Sequence, residues 1–208
     1  MFDSPAERVY PIIDTGICQA RGVGSEALAL ACLKGGARVL QLRVKNGSSA
    51  QFLELAERLV DSARQFDAAV IVNDRADIAR MARASGVHVG QDDLGPEAVR
   101  EVLGAGVIGC STHEPAQADA ALQSVADYVA VGPIFETTTK ATGYTARGLD
   151  LLKHTSGRGK PVIAIGGITL ERAPQVIEAG ASSVAVITDL LTGGDAEARV
   201  RGYIRALQ

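Results

Sequence analysis

The chain has 208 residues, 47% hydrophobic and 22% charged, enough for one domain with a sizeable core and too apolar for a disordered chain. A net charge of −3 excludes a general attraction to nucleic acid or membranes, so any anion site has to be a local cluster of cations. Aromatics are only 4%, with no Trp and 23 glycines, so Ala, Val, Ile and Leu must fill the core, a profile that suits buried parallel strands under helices.

The N-terminus carries Asp3, Glu7 and Arg8 and lacks the apolar centre of a signal peptide. No apolar run approaches the roughly 20 residues of a membrane span, and a cytoplasmic protein is expected. Cys18, Cys32 and Cys110 form no CxxC, which suggests a reducing compartment without disulfides and argues against zinc.

Eight short β-branched runs then follow in order, at 9–13, 38–42, 69–72, 87–90, 107–110, 128–131, 162–165 and 183–187. Segments of helical period separate them, such as 49–66 with Phe52, Leu55, Ala56 and Leu59 on one face. Start signals stand at Ser25 with Glu26, Ser49, Pro96 with Glu97, and Thr169 with Glu171; end signals are Gly35 with Gly36, Gly86, Gly106 and Gly180. Strict strand-helix alternation leaves an open doubly wound sheet or a closed (β/α)8 TIM barrel. The count of eight, at about 26 residues per unit, favours the barrel, and the segment after the first strand, 14–18, does not match GxGxxG. The class is α/β, with residues 1–208 forming a single catalytic domain. The stretch 132–148 is long for its place and rich in Thr, a candidate substrate loop.

In such a barrel, function sits at the C-terminal ends of the strands. The second strand ends with Gln41, Arg43 and Lys45 on one side, which is costly without an anion between them; solvated charges at an exposed strand end are the plainer reading. Asp74 and Asp93 follow the third and fourth strands and could share one Mg2+ ion with phosphate oxygens, or could simply cap the next helices. Ser111 and His113 follow the fifth strand, and Thr137, Thr138, Thr139 and Lys140 the sixth. Gly166 and Gly167 follow the seventh, and Thr188 and Asp189 the eighth, where barrels often cradle phosphate in backbone N–H groups. Two anion sites result: a metal-assisted one with Arg43, Lys45, Asp74, Asp93 and Lys140, and a monophosphate one at Gly167 and the eighth strand. Two phosphorylated small molecules are the expected substrates, with no nucleic-acid or membrane partner, and a homo-oligomer is compatible with the sequence.

The strand-end motifs QLRVK (41–45), NDR (73–75), VGQDD (89–93), GCSTH (109–113), VGPIFETTTK (131–140) and AIGGI (164–168) resemble the thiamin phosphate synthase family, over residues 10 to about 191. The resemblance implies a transferase of thiamine biosynthesis. It would join 4-amino-2-methyl-5-(diphosphooxymethyl)pyrimidine to a thiazole phosphate, with Mg2+ as cofactor and diphosphate released by dissociative substitution. It implies that Gln41, Arg43, Lys45, Asn73, Ser111 and Lys140 hold the pyrimidine diphosphate, with Arg43, Lys45, Ser111 and Lys140 acting on the reacting groups. Asp74 and Asp93 would bind Mg2+, and Thr137, Thr138, Thr139, Gly167, Ile187 and Thr188 would hold the thiazole phosphate. The chain departs from the family in lacking Pro before Lys140, in the run 141–147, and in Thr188 where Ser is common. Rival readings are the sister thiazole tautomerases, in which a His near position 113 shifts a proton, and a silent ligand-binding paralogue. The full set of Lys45, Asp74, Asp93 and Lys140 argues against both, leaving His113 a polar wall residue and His88 and His154 structural or solvent-facing.

Overall fold

The computed structural model describes residues 1–2, 4–137 and 145–208. Eight strands, β1 (Val9–Asp14), β2 (Val39–Arg43), β3 (Ala69–Asn73), β4 (Gly86–Val89), β5 (Val107–Thr112), β6 (Tyr128–Val131), β7 (Val162–Ile165) and β8 (Ser183–Val186), lie in chain order. Each is parallel to the next, and β8 pairs with β1 to close the barrel. Every expected strand is present, 128–131 and 162–165 with the same ends and the others with ends shifted by one or two residues.

The helices around the barrel are α1 (Thr15–Ala20), α2 (Ser25–Lys34), α3 (Ser49–Arg64), α4 (Ala76–Met81), α5 (Pro96–Leu103), α6 (Pro115–Gln123), α7 (Asp150–Thr155), α8 (Ala173–Glu178) and α9 (Ala196–Ala206). In α3, Phe52, Ala56, Leu59, Val60 and Ala63 recur three and four apart and are buried, which turns one stripe of the helix onto the sheet. Its cap is Ser48, one residue before the expected Ser49: the Ser48 hydroxyl accepts from the Gln51 amide, and the Gln51 side chain reaches back to the Ser48 amide. Gly86 is no helix end. It is the first residue of β4, where a Cβ would lie 2.1 Å from the Val107 carbonyl oxygen. Among the described residues no helix is long and apolar enough to cross a membrane.

Strand alternation divides the buried residues into two layers. Leu40, Leu42, Val70, Val72, Val87 and Ile108 face the helices. Tyr10, Ile12, Val39, Ile71, Tyr128 and Ile163 fill the barrel, and Phe2 joins them with its ring centroid 5.8 Å from Tyr10 and 5.2 Å from Tyr128. The register sets Ile12 beside Gln41, Asp14 beside Arg43, Asn73 beside His88, and Ser111 beside Ala130. Gln41, His88 and Ser111 accordingly share the interior with the aromatic rings, toward the C-terminal mouth.

Candidate active site

Around the C-terminal ends of β2 to β4 lies a cavity of about 310 Å3 lined by Lys45, Ser48, Asn73, Asp74, Arg75 and Asp93, among others. Neither aspartate caps a helix. The N-cap of α4 is Arg75 and that of α5 is Gly95, neither with a side-chain cap bond. Asp74 instead sits at φ +66°, a left-handed conformation rare for a side-chain-bearing residue, with its amide donating 2.7 Å to the His88 carbonyl. Its carboxylate receives the Lys45 ammonium. Asp93 accepts from the Gly90 amide at 2.8 Å. Burial, reinforced by the neighbouring Asp74 carboxyl, pushes the Asp93 carboxyl above the usual range despite the Gly90 amide and Lys45. Two carboxyls that resist ionising together are the donor set a hard cation would relieve. Among the described residues no cluster of three or more His, Cys, Asp or Glu side chains is placed to hold a metal, so further oxygens would come from ligand or water. Asn73 is buried, and its Nδ2 has no partner among the described residues.

A larger cavity, about 760 Å3, opens at the ends of β5 to β8. Ser111, His113, Thr137, Gly167, Ile187 and Thr188 line it, with Arg21, Arg172 and Asp189. The loop after β7 is bound to the one after β6: the Ile134 amide donates to the Ile165 carbonyl at 2.8 Å and the Phe135 amide to the Gly166 carbonyl at 3.0 Å. This contact demands glycine. Gly167 has φ +61°, and a Cβ there would lie 2.5 Å from the Glu136 carbonyl oxygen. His113 donates through Nδ1 to the Gly132 carbonyl at 2.6 Å, which makes it a brace between two loops.

Between the two cavities, inside the barrel, runs a chain of polar side chains. Gln41 Nε2 donates to the Tyr10 hydroxyl at 3.2 Å, the two Tyr hydroxyls of Tyr10 and Tyr128 meet at 3.1 Å, and Tyr128 meets His88 Nδ1 at 2.9 Å. His88 Nε2 then lies 2.8 Å from the Ser111 hydroxyl. Gly109 leaves the room for it: a Cβ there would be 2.0 Å from the Tyr128 ring and 2.5 Å from His88. Burial raises both phenols well above their ordinary range, so they remain protonated.

The sequence profile described as thiamine monophosphate synthase matches residues 9–190. The chain belongs to the thiamine monophosphate synthase family. It is 40% identical over 204 residues to the thiamine-phosphate synthase of Chloroflexus aurantiacus, covering 96% of this chain and 92% of that one. The thiamine-phosphate synthase of Thermus thermophilus is 43% identical over 171 residues, 81% of this chain and 82% of its own. A solved structure of thiamine phosphate pyrophosphorylase from Pyrococcus furiosus superposes with a TM-score of 0.88 at 28% identity, covering 98% and 96% of the two chains. Membership of the thiamine monophosphate synthase family makes the chain an enzyme, a transferase of thiamine biosynthesis.

Of the residues expected from the thiamine monophosphate synthase resemblance, Lys45, Asn73, Asp74 and Asp93 meet in the smaller cavity and Thr137, Gly167, Ile187 and Thr188 in the larger, where Ser111, expected with the pyrimidine diphosphate residues, also stands because it lies at the C-terminal end of β5. Gln41 and Arg43 line neither. Gln41 heads the interior chain, and Arg43 is ion-paired to Asp14, which also caps α1 by accepting from the Ile17 amide at 3.0 Å. Thr138, Thr139 and Lys140 lie outside the described residues. Asp14 escaped the sequence reading, although its place at the end of β1 is the same signal that marked Arg43 beside it. Of the two expected places for His88, structural or solvent-facing, the first holds: it is 7% exposed and bonded at both ring nitrogens.

Proposed function

We propose that this enzyme joins 4-amino-2-methyl-5-(diphosphooxymethyl)pyrimidine to 4-methyl-5-(2-phosphoethyl)thiazole, or to its 2-carboxy form, giving thiamin phosphate and diphosphate. The observation that carries this reading is the division of the barrel mouth into a small cavity crowded with Lys45, Asp74, Arg75 and Asp93 and a larger one in which Arg21, Glu136, Arg172 and Asp189 are spread among hydroxyls and glycine-rich backbone. A diphosphate suits concentrated charge, whereas a single phosphate monoester suits backbone N–H groups and hydroxyls.

In this reading Lys45 and Lys140 bind the diphosphate oxygens while Arg43 stays on Asp14, and the Asn73 amide nitrogen, which has no partner among the described residues, donates to an acceptor on the same substrate. The Asp74 and Asp93 carboxyls fit a hard divalent cation, and Mg2+ held there would supply the positive charge that lets diphosphate depart. The bond from the pyrimidine methylene to the bridging oxygen breaks, with its electron pair leaving on diphosphate. The thiazole nitrogen lone pair then forms the new C–N bond. No proton has to move with the decarboxylated thiazole; with the 2-carboxy form, loss of carbon dioxide and uptake of one proton complete the balance. The residues therefore align the partners and neutralise charge. Thr137, Gly167, Ile187 and Thr188 hold the thiazole phosphate side, and Ser111, which the resemblance assigns to the pyrimidine diphosphate, stands in the same cavity wall.

The test is to mix purified protein with both substrates, with and without Mg2+. Diphosphate and a thiochrome-forming product should appear in equal amounts, and only with the metal. Interconversion of thiazole tautomers without those products, or tight binding without turnover, would overturn the assignment.

A further inference from the structure

Asp189 stands in the wall of the larger cavity beside Thr188, an unexpected place for a carboxylate if that cavity takes a phosphate. Its side chain is only 10% exposed and its oxygens are heavily engaged. Arg199 forks onto it, Nε to Oδ2 at 2.9 Å and NH2 to Oδ1 at 2.8 Å. The Tyr203 hydroxyl donates to Oδ2 at 2.5 Å, the Leu170 amide to Oδ2 at 3.2 Å, and the Thr192 hydroxyl to Oδ1 at 3.5 Å. These donors come from separate parts of the chain. Arg199 and Tyr203 belong to α9, Leu170 to the loop after β7, and Thr192 to the 3-10 turn Thr188–Gly194 that contains Asp189 itself. Tyr203 is buried, and burial together with the Asp189 contact pushes its phenol far upward, so it stays a donor. Arg199 also reaches Glu171 at 3.4 Å, but Glu171 is 70% exposed, so its field is screened by water.

We propose that Asp189 is a positioning residue for the phosphate-binding end of the cavity. It ties the loop after β7 and the turn after β8 to α9, so that Gly167 and Thr188 present their polar groups from fixed places, while Arg199 cancels a charge that would oppose the anion. This rests on assigning the larger cavity to the thiazole phosphate. A forked Arg–carboxylate pair fixes direction as well as distance, which is what a clamp between three segments needs. The Tyr203 hydroxyl adds a further anchor on Oδ2 from the same helix.

The experiment measures by calorimetry the binding of two probes, the thiazole phosphate and the corresponding thiazole alcohol, to the intact enzyme and to Asp189→Asn and Tyr203→Phe. Asp189→Asn should weaken the phosphate about tenfold or more and Tyr203→Phe about threefold to fivefold, as expected for losing hydrogen bonds to a charged group. The alcohol should change less than about twofold, because it makes none of the contacts these residues set up. In steady-state assays the KM for the pyrimidine diphosphate should stay the same while that for the thiazole phosphate rises. Equal weakening of both probes would show a merely structural role and overturn the proposal, as would unchanged phosphate affinity. If the unaltered enzyme binds phosphate no better than alcohol, the assignment of the cavity falls first and the proposal with it. Should Asp189→Asn fail to fold, Tyr203→Phe, which removes one hydroxyl and no charge, carries the same comparison.

Discussion

In the smaller cavity the full charges face the ligand space and each other, Lys45 on Asp74 and Asp74 against Asp93. In the larger one the charges of Arg21, Glu136 and Arg172 are spread among Thr137, Thr169, Thr188 and the backbone at Gly167, and Asp189 is already cancelled by Arg199. One half of the mouth therefore depends mainly on charges packed against each other, and the other on loop backbone and hydroxyls with its charges farther apart. Long-range charge is tolerant of small displacements but answers to ions; hydrogen bonds from backbone are indifferent to ions but fail when the loop shifts by an ångström.

That contrast can be broken most severely by chelation. Removing Mg2+ should abolish turnover yet leave thiazole phosphate affinity within about twofold, as measured by calorimetry with and without EDTA. Loss of affinity for both ligands would erase the distinction between the halves. Lys45→Ala should lower kcat/KM by about 10²-fold, the usual cost of removing an electrostatic donor, and steady-state kinetics with each substrate varied should assign the effect to the pyrimidine diphosphate. Gly109→Ala attacks what the two halves share. A Cβ inside the Tyr128 ring should cost about 2–3 kcal/mol, read as a lowered Tm, and impair binding of both substrates together. Gly167→Ala, strained at φ +61° and blocked by the Glu136 carbonyl, should raise the KM for the thiazole phosphate about tenfold while sparing the pyrimidine diphosphate. His113→Asn should have the smallest effect, less than about fivefold on kcat, since it exchanges one loop-bracing hydrogen bond for another. A complete loss of turnover would give His113 a part in the chemistry.

The strands were legible because strands buried on both faces read as uninterrupted apolar runs, and eight of them in 208 residues leave little room for another architecture. Alternation also places Gln41, Arg43 and Lys45 on one side of the second strand. Contacts between distant parts of the chain stayed hidden. Nothing local announces that Arg43 meets Asp14, or that Asp189 is held from α9. Asp74 and Asp93 look like caps in sequence because each shortly precedes a helix, and only the backbone, with Arg75 and Gly95 at the cap positions, sets that aside. Gly86 resembles a helix end in sequence for a related reason: its need for glycine comes from Val107 on the neighbouring strand, not from the helix before it. The six residues of α1 have no amphipathic stripe to reveal them.

The side chains running from Gln41 to Ser111 have a sense of direction. An amide nitrogen can only give a proton, so with Gln41 at the head, Tyr10 can pass its own to Tyr128 and Tyr128 to His88 Nδ1. In that ordering His88 carries its hydrogen on Nε2, turned toward Ser111. Ser111, having accepted there, keeps its own proton for whatever lies beside it in the cavity. A glutamine on the second strand thus orients a hydroxyl on the fifth, making Ser111 a ready donor before any ligand arrives.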